Sequence, residues 1–206
     1  MQGFIQSIRV ERKLVGFSLF LLLASALLGY ANARPIQELL QQAGVWEQLK
    51  QAANSIKQNP TFANTFAVIF LNNLRASAVM IGLGIFLGIF PALALISNGL
   101  MLGVVLGQAS RETGLHPLVV FATSILPHGI LELPAVIFAA AYGIRLGITF
   151  ARWSLSWISP ERLLQSKEDW QSLFARIPYA VGGIVVMLVL AALIESGLIV
   201  YLSSIM

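Results

Sequence analysis

Apolar residues in this chain fall in runs long enough to cross a bilayer, and few charges interrupt them. A span takes about 20 apolar residues to cross the roughly 30 Å hydrocarbon core. The chain has 206 residues, 57% of them hydrophobic and only 11% charged. A soluble domain carries about 25% charge. These runs exclude a soluble globular enzyme, a disordered chain and a nucleic-acid-binding domain. The fold class they predict is all-α: one polytopic transmembrane helix bundle over 1–206, with about five spans, an outer amphipathic helix and a short half-inserted helix. The absence of cysteine excludes disulfides and thiol chemistry.

The first span is 14–31. Arg9, Arg12 and Lys13 precede it, which predicts a cytoplasmic N-terminus. Ala31-Asn32-Ala33 has the form of a signal-peptidase site, but the run is long for a signal peptide, so an anchor is favoured. Residues 35–58 place Ile36, Leu39, Leu40, Ala43, Trp46, Leu49, Ala53 and Ile56 on one helical face. This predicts an amphipathic helix lying on the outer membrane surface or packed over the tops of the spans. Asn72-Asn73-Leu74-Arg75 interrupts the next run, and a charged Arg in hydrocarbon is costly. A short interfacial helix at 62–71 and a second span at 76–96, kinked at Pro91, are therefore expected. Ser97-Asn98-Gly99 reads as a turn. It leaves a third span at 98–110 too short for an unthinned bilayer, at about 1.5 Å per residue. A fourth span, 117–144, is expected to break at Pro127. A basic cytoplasmic segment, 145–176, follows, with Trp153, Trp157 and Trp170 at headgroup level. The last span is 179–202, which puts the C-terminus outside. Eight basic residues then face the cytoplasm and five the exterior, in accord with the positive-inside rule.

Gly99, Gly103 and Gly107 recur every four residues, as do Gly84 and Gly88. Small residues at this spacing let membrane helices approach closely, either within one chain or across a homodimer. The stretch Pro127-His128-Gly129-Ile130-Leu131-Glu132-Leu133-Pro134 is the candidate polar site. His128 and Glu132 share one helical face, and ionisable residues inside an apolar run mark functional sites by default. Each proline removes a backbone hydrogen bond. Asn98 and Glu195 are the further candidates, with His116 nearer the outer interface. Three readings stay open: a structural clasp, proton or cation handling, and a metal site. The last needs Glu132, Glu195 and His128 to converge, because a catalytic zinc takes three protein ligands. No catalytic residue, metal or cofactor is assigned.

The order Asn72-Asn73, Asn98-Gly99 with Gly103, Pro127-His128-Gly129 and Glu132-Leu133-Pro134-Ala135, followed by a basic segment, resembles the stage II sporulation protein M family over about residues 60–200. The resemblance implies a cell-membrane scaffold that organises cell-envelope or peptidoglycan-remodelling partners, among them sporulation proteins D and P. The family also occurs in organisms that do not sporulate, and it supplies no catalytic residues. The expected function is thus a scaffold or interaction protein rather than an enzyme. It works in contact with membrane lipids, forms a homodimer and binds no nucleic acid. The alternative is a small transporter or channel using His128 and Glu132.

Overall fold

A computed structural model describes residues 2–156 and 160–205; within them, the side chains at 2, 48, 49, 124, 128, 160 and 202–205 lie outside the description. Trp157 falls outside the described residues. The described residues form helices and no strand: α1 (Gln2–Val10), α2 (Arg12–Ala31), α3 (Ala33–Gln42), α4 (Val45–Gln58), α5 (Phe62–Gly82), α6 (Ile89–Thr113), α7 (Pro117–Val120), α8 (Leu126–Leu155) and α9 (Pro160–Ile205). Five of them are long and apolar enough to span a membrane. This matches the expected all-α bundle with five spans.

Several boundaries differ from those the sequence predicts. The amphipathic stretch 35–58 is two helices, separated where Gly44 adopts φ +74°. The predicted break at Asn72–Arg75 is absent, and α5 runs through it. Asn72 and Arg75, one turn apart, face a groove beside α4 with Gln51 and Ser55, so polar neighbours replace lipid. The turn expected at Ser97–Gly99 instead occupies 83–88. It is a 3₁₀ turn, Leu83–Ile85, followed by Leu87 and Gly88 at φ +58° and +73°. Pro91 is the third residue of α6, where its missing N–H has no helical partner to lose, so it does not kink the span. α6 has 25 residues, about 37 Å at 1.5 Å each, and needs no bilayer thinning. The fourth span breaks before Pro127, at a π-turn over Phe121–Ile125, and Pro127 falls in the first turn of α8. The basic segment 145–176 is helical. α8 continues through 144 to Leu155, and the last span is the far half of the 46-residue α9, which passes through Pro178.

α8 is the central helix. Ala135, Ala139 and Ala140 have no exposed surface, and they join Leu22 of α2, Met80 of α5, Leu95 of α6, and Ile184 and Leu188 of α9 in the core. Lipid supplies no hydrophobic drive between helices, so close backbone packing must hold them. Both glycine stripes serve this end within one chain. Gly84 and Gly88 lie against Gly143, Ile144 and Gly147 of α8, where an added Cβ on Gly84 would meet the carbonyl of Gly143. Gly99 and Gly103 lie against α2, on Ser25 and on the carbonyl of Ala26. Ser25 directs its hydroxyl back to the carbonyls of Leu21 (2.7 Å) and Leu22 (3.0 Å), so the seam buries no unpaired donor there.

At the opposite end of α6 from α3, charges close the bundle. Arg145 and Arg152 are two turns apart on α8, as are Asp169 and Arg176 on α9, so each pair shares a face. Asp169 takes Arg145 at 3.3 Å and Arg152 at 3.2 Å. Glu11, between α1 and α2, takes Arg176 at 3.3 Å and Arg145 at 3.5 Å, with its side chain only 6% exposed. From this joint α1 runs back along the bundle. The Phe4 ring meets Phe138 edge-on and covers Gly183.

Two stability predictions follow from these contacts. Gly103→Leu drives a side chain into the α2 backbone, where an added Cβ already comes within 2.6 Å of the Tyr30 nitrogen. It should cost more than about 3 kcal/mol, beyond ordinary overpacking. Gly182→Leu, at a glycine with no atom within 4 Å of an added Cβ, should be near neutral in thermal unfolding in detergent. Glu11→Gln strands the largely buried Arg176 guanidinium and leaves Arg145 with Asp169 alone, and should cost about 3–5 kcal/mol. Glu47→Gln breaks only an exposed pair with Lys50 and should stay within about 1 kcal/mol in the same assay.

Candidate intramembrane polar site

Asn98 and Glu132 line the same cavity, of about 210 Å³, between α6 and α8. Helical periodicity puts them there. Asn98, Met101, Leu102 and Val105 form one face of α6, next to the face whose glycines meet α2. Ile125, Gly129, Glu132, Leu133 and Val136 form the matching face of α8, and Leu22 of α2 closes one side. The walls are otherwise apolar, so an amide and a carboxyl group converge in a small greasy chamber.

The prolines frame this face. The π-turn ends at Ile125, Pro127 enters α8 in its first turn, and Pro134 stands inside the helix one turn past Ile130. Proline at an interior position withholds one backbone donor, and π-turns recur at functional sites. Gly129 is not a close-packing glycine. An added Cβ would meet only Leu133 and Ile125 side chains at 3.5 Å or more, so its contribution is room in the cavity wall.

The other candidates fall elsewhere. Glu195 is half-buried on α9 and does not line this cavity. The side chain of His128 lies outside the described residues. His116 is an N-cap: its Nδ1 accepts from the Leu118 N–H at 3.3 Å at the start of α7. Among the described residues no group of three or more His, Asp and Glu could hold a metal ion. The required convergence of Glu132 and Glu195 is not what this cavity provides.

Sequence reasoning missed the Glu11 network, because its partners lie far along the chain. Two signals pointed toward it. Glu11 is the lone acid among Arg9, Arg12 and Lys13, and Asp169 is the only aspartate in the chain. A polar groove of about 720 Å³ between α4 and α5, lined by Gln51, Ser55, Asn72 and Arg75 with exposed Leu71 and Val79, was also not foreseen.

An uncharacterized protein of the archaeon Methanocaldococcus jannaschii is 33% identical to this chain over 87 residues, which are 42% of this chain and 48% of that protein. The chain thus aligns with about half the length of this relative. No solved structure matches it. The family model described as stage II sporulation protein M matches residues 18–198, from the first turns of α2 to the far end of α9, and the chain belongs to that family.

Proposed function

We propose that this protein is a membrane scaffold whose outer groove between α4 and α5 receives an extracytoplasmic partner protein of the cell envelope. The observation that carries the reading is Arg75. It projects from the middle of a span-length helix into a groove with Asn72, Gln51 and Ser55, and among the described residues it has no ion-pair partner. A guanidinium so placed is poorly served by lipid and well served by a carboxylate on another chain. The family's name and the envelope setting it suggests point the same way, toward peptidoglycan-remodelling partners such as sporulation proteins D and P. The reading requires α3 and α4 to face outside and the Arg145–Asp169 end to face the cytoplasm of a cell-membrane protein, as the positive-inside count implies.

The chain's lack of cysteine makes the test clean. Single cysteines at Gln51 and Gln165 should react with impermeant reagent from opposite sides of the cell. A photo-crosslinker at Ser55 should give an adduct with an extracytoplasmic envelope protein, weakened several-fold by Arg75→Gln. Adducts with lipid alone, or with a second copy of this chain, would defeat the partner-protein reading.

The Asn98–Glu132 cavity favours a second reading, proton or cation handling. Reconstituted protein would then carry a flux that Glu132→Gln abolishes while thermal stability is kept. Equal flux in wild type, Glu132→Gln and empty liposomes removes this alternative.

A further inference from the structure

We propose that the part of the partner that enters the α4–α5 groove is a membrane-spanning helix with an Asp or Glu near its midpoint, placed to pair with Arg75. The inference rests on the scaffold reading above and names the element that reaches its site. Depth is the first argument. Leu74, next to Arg75, packs against the core that holds Leu22 of α2, Leu95 of α6, Ala139 of α8 and Leu188 of α9. Leu22 lies at the middle of the 20-residue first span. Arg75 is therefore level with the centre of the bundle, about 20 Å along the axis from the start of α5 at Phe62. A loop of a soluble domain does not reach that depth, whereas a helix lying in the bilayer does.

The α5 wall of the groove has the form on which a helix packs. Leu71, Arg75 and Val79 make one row at four-residue spacing, and Val68, Asn72 and Ala76 make the row beside it. Such rows are ridges, and the side chains of a second helix fit between them. Leu71 is 58% exposed and Val79 is 47% exposed, so the cation stands between two uncovered apolar side chains, one turn away on either side. Ala76, with Ala52 on α4, keeps the wall low, and small residues let membrane helices approach closely. An acid with apolar residues one turn before and after it is the complement of this row.

The charge is not met from within the chain. Among the described residues Arg75 has no ion-pair partner. Glu47, the acid of α4, is held by Lys50 at 2.9 Å and does not line the groove. The polar lining, Gln51, Ser55 and Asn72, is neutral and leaves the positive charge uncompensated. Ionisable side chains at membrane depth pair with one another, and an opposite charge counts for more there than at a water-facing surface. A lipid phosphate also carries negative charge, but it keeps to headgroup level, about 15 Å from the bilayer centre. A carboxylate borne on a helix sits at the depth of Leu74.

The test uses the full chain in phosphatidylcholine vesicles, with a photo-crosslinker at Val79 and two synthetic spans as probes. Each probe is a run of about 20 Leu and Ala residues with Lys at both ends; one has Glu at its midpoint and the other Gln. The Glu span should be captured about tenfold more than the Gln span, the scale of one charge-assisted hydrogen bond. Arg75→Gln should abolish that preference, and Arg111→Gln, on α6, should leave it intact. Equal capture of the two probes, or a preference that survives Arg75→Gln, would overturn the proposal. In cells, the crosslinker at Val79 should yield the same protein adduct as one at Ser55. An adduct from Ser55 alone overturns the helix assignment and leaves the scaffold reading standing; no protein adduct from either position overturns both. A Val79 adduct with a second copy of this chain, lost in Glu195→Gln, would overturn the proposal in favour of self-association through the last span.

Discussion

Backbone-to-backbone approach at glycine governs this bundle. Gly143 and Gly147 on α8 receive the turn that carries Gly84 and Gly88, and that turn aims α6. α6 then lies against α2 through Gly99 and Gly103 on the Ser25–Gly29 stretch. Spans surrounded by hydrocarbon gain little from burying leucine against leucine, so dispersion contact at short range must hold them together. The cavity is a consequence: once Gly99 and Gly103 face α2, Asn98 is turned toward α8 and meets the face that bears Glu132. Leu87, held at φ +58° beside Gly88, shows that the turn is forced by what it packs against, because that backbone region costs a leucine about 1–2 kcal/mol.

The ion-pair network does what glycines cannot. At the headgroup end the surroundings are polar enough for charge, and Glu11 and Asp169 each bridge two guanidinium groups. The bridges tie α1 and α2 to α8, and α8 to α9. They fix how the start of the long α9 sits against the end of α8.

Legibility in the sequence followed distance along the chain. The glycine spacing, the apolar runs and the i, i+4 relation of His128 to Glu132 are local, and periodicity displays them. The resemblance was visible from residue 60 onward because the motif residues lie there; the family match reaches back to residue 18 through a span with no distinctive residue. Asn98-Gly99 looked like a turn because that dipeptide turns chains in water. Here Asn98 faces a cavity inside α6 and Gly99 is a contact residue, while the real turn hid in the less conspicuous Gly84–Gly88. Arg75 was read as a helix boundary because its cost was reckoned against lipid; the groove beside α4 changes that comparison. Glu11 stood out locally only as a lone acid among bases, and its partners Arg145 and Arg176 sit more than a hundred residues away.

That separation has a bearing on biogenesis. Glu11 and Arg176 are 165 residues apart, and Phe4 rests on Phe138 and over Gly183, so α1 has nothing to dock on while the early spans are made. At roughly 5–20 residues per second, on the order of ten seconds or more pass before its seat exists. Throughout that interval α1 must wait at the membrane surface, and its arrival is among the last steps of assembly. The first helix is thus a late-fitting clasp, whose seat is complete only once α9 is in place.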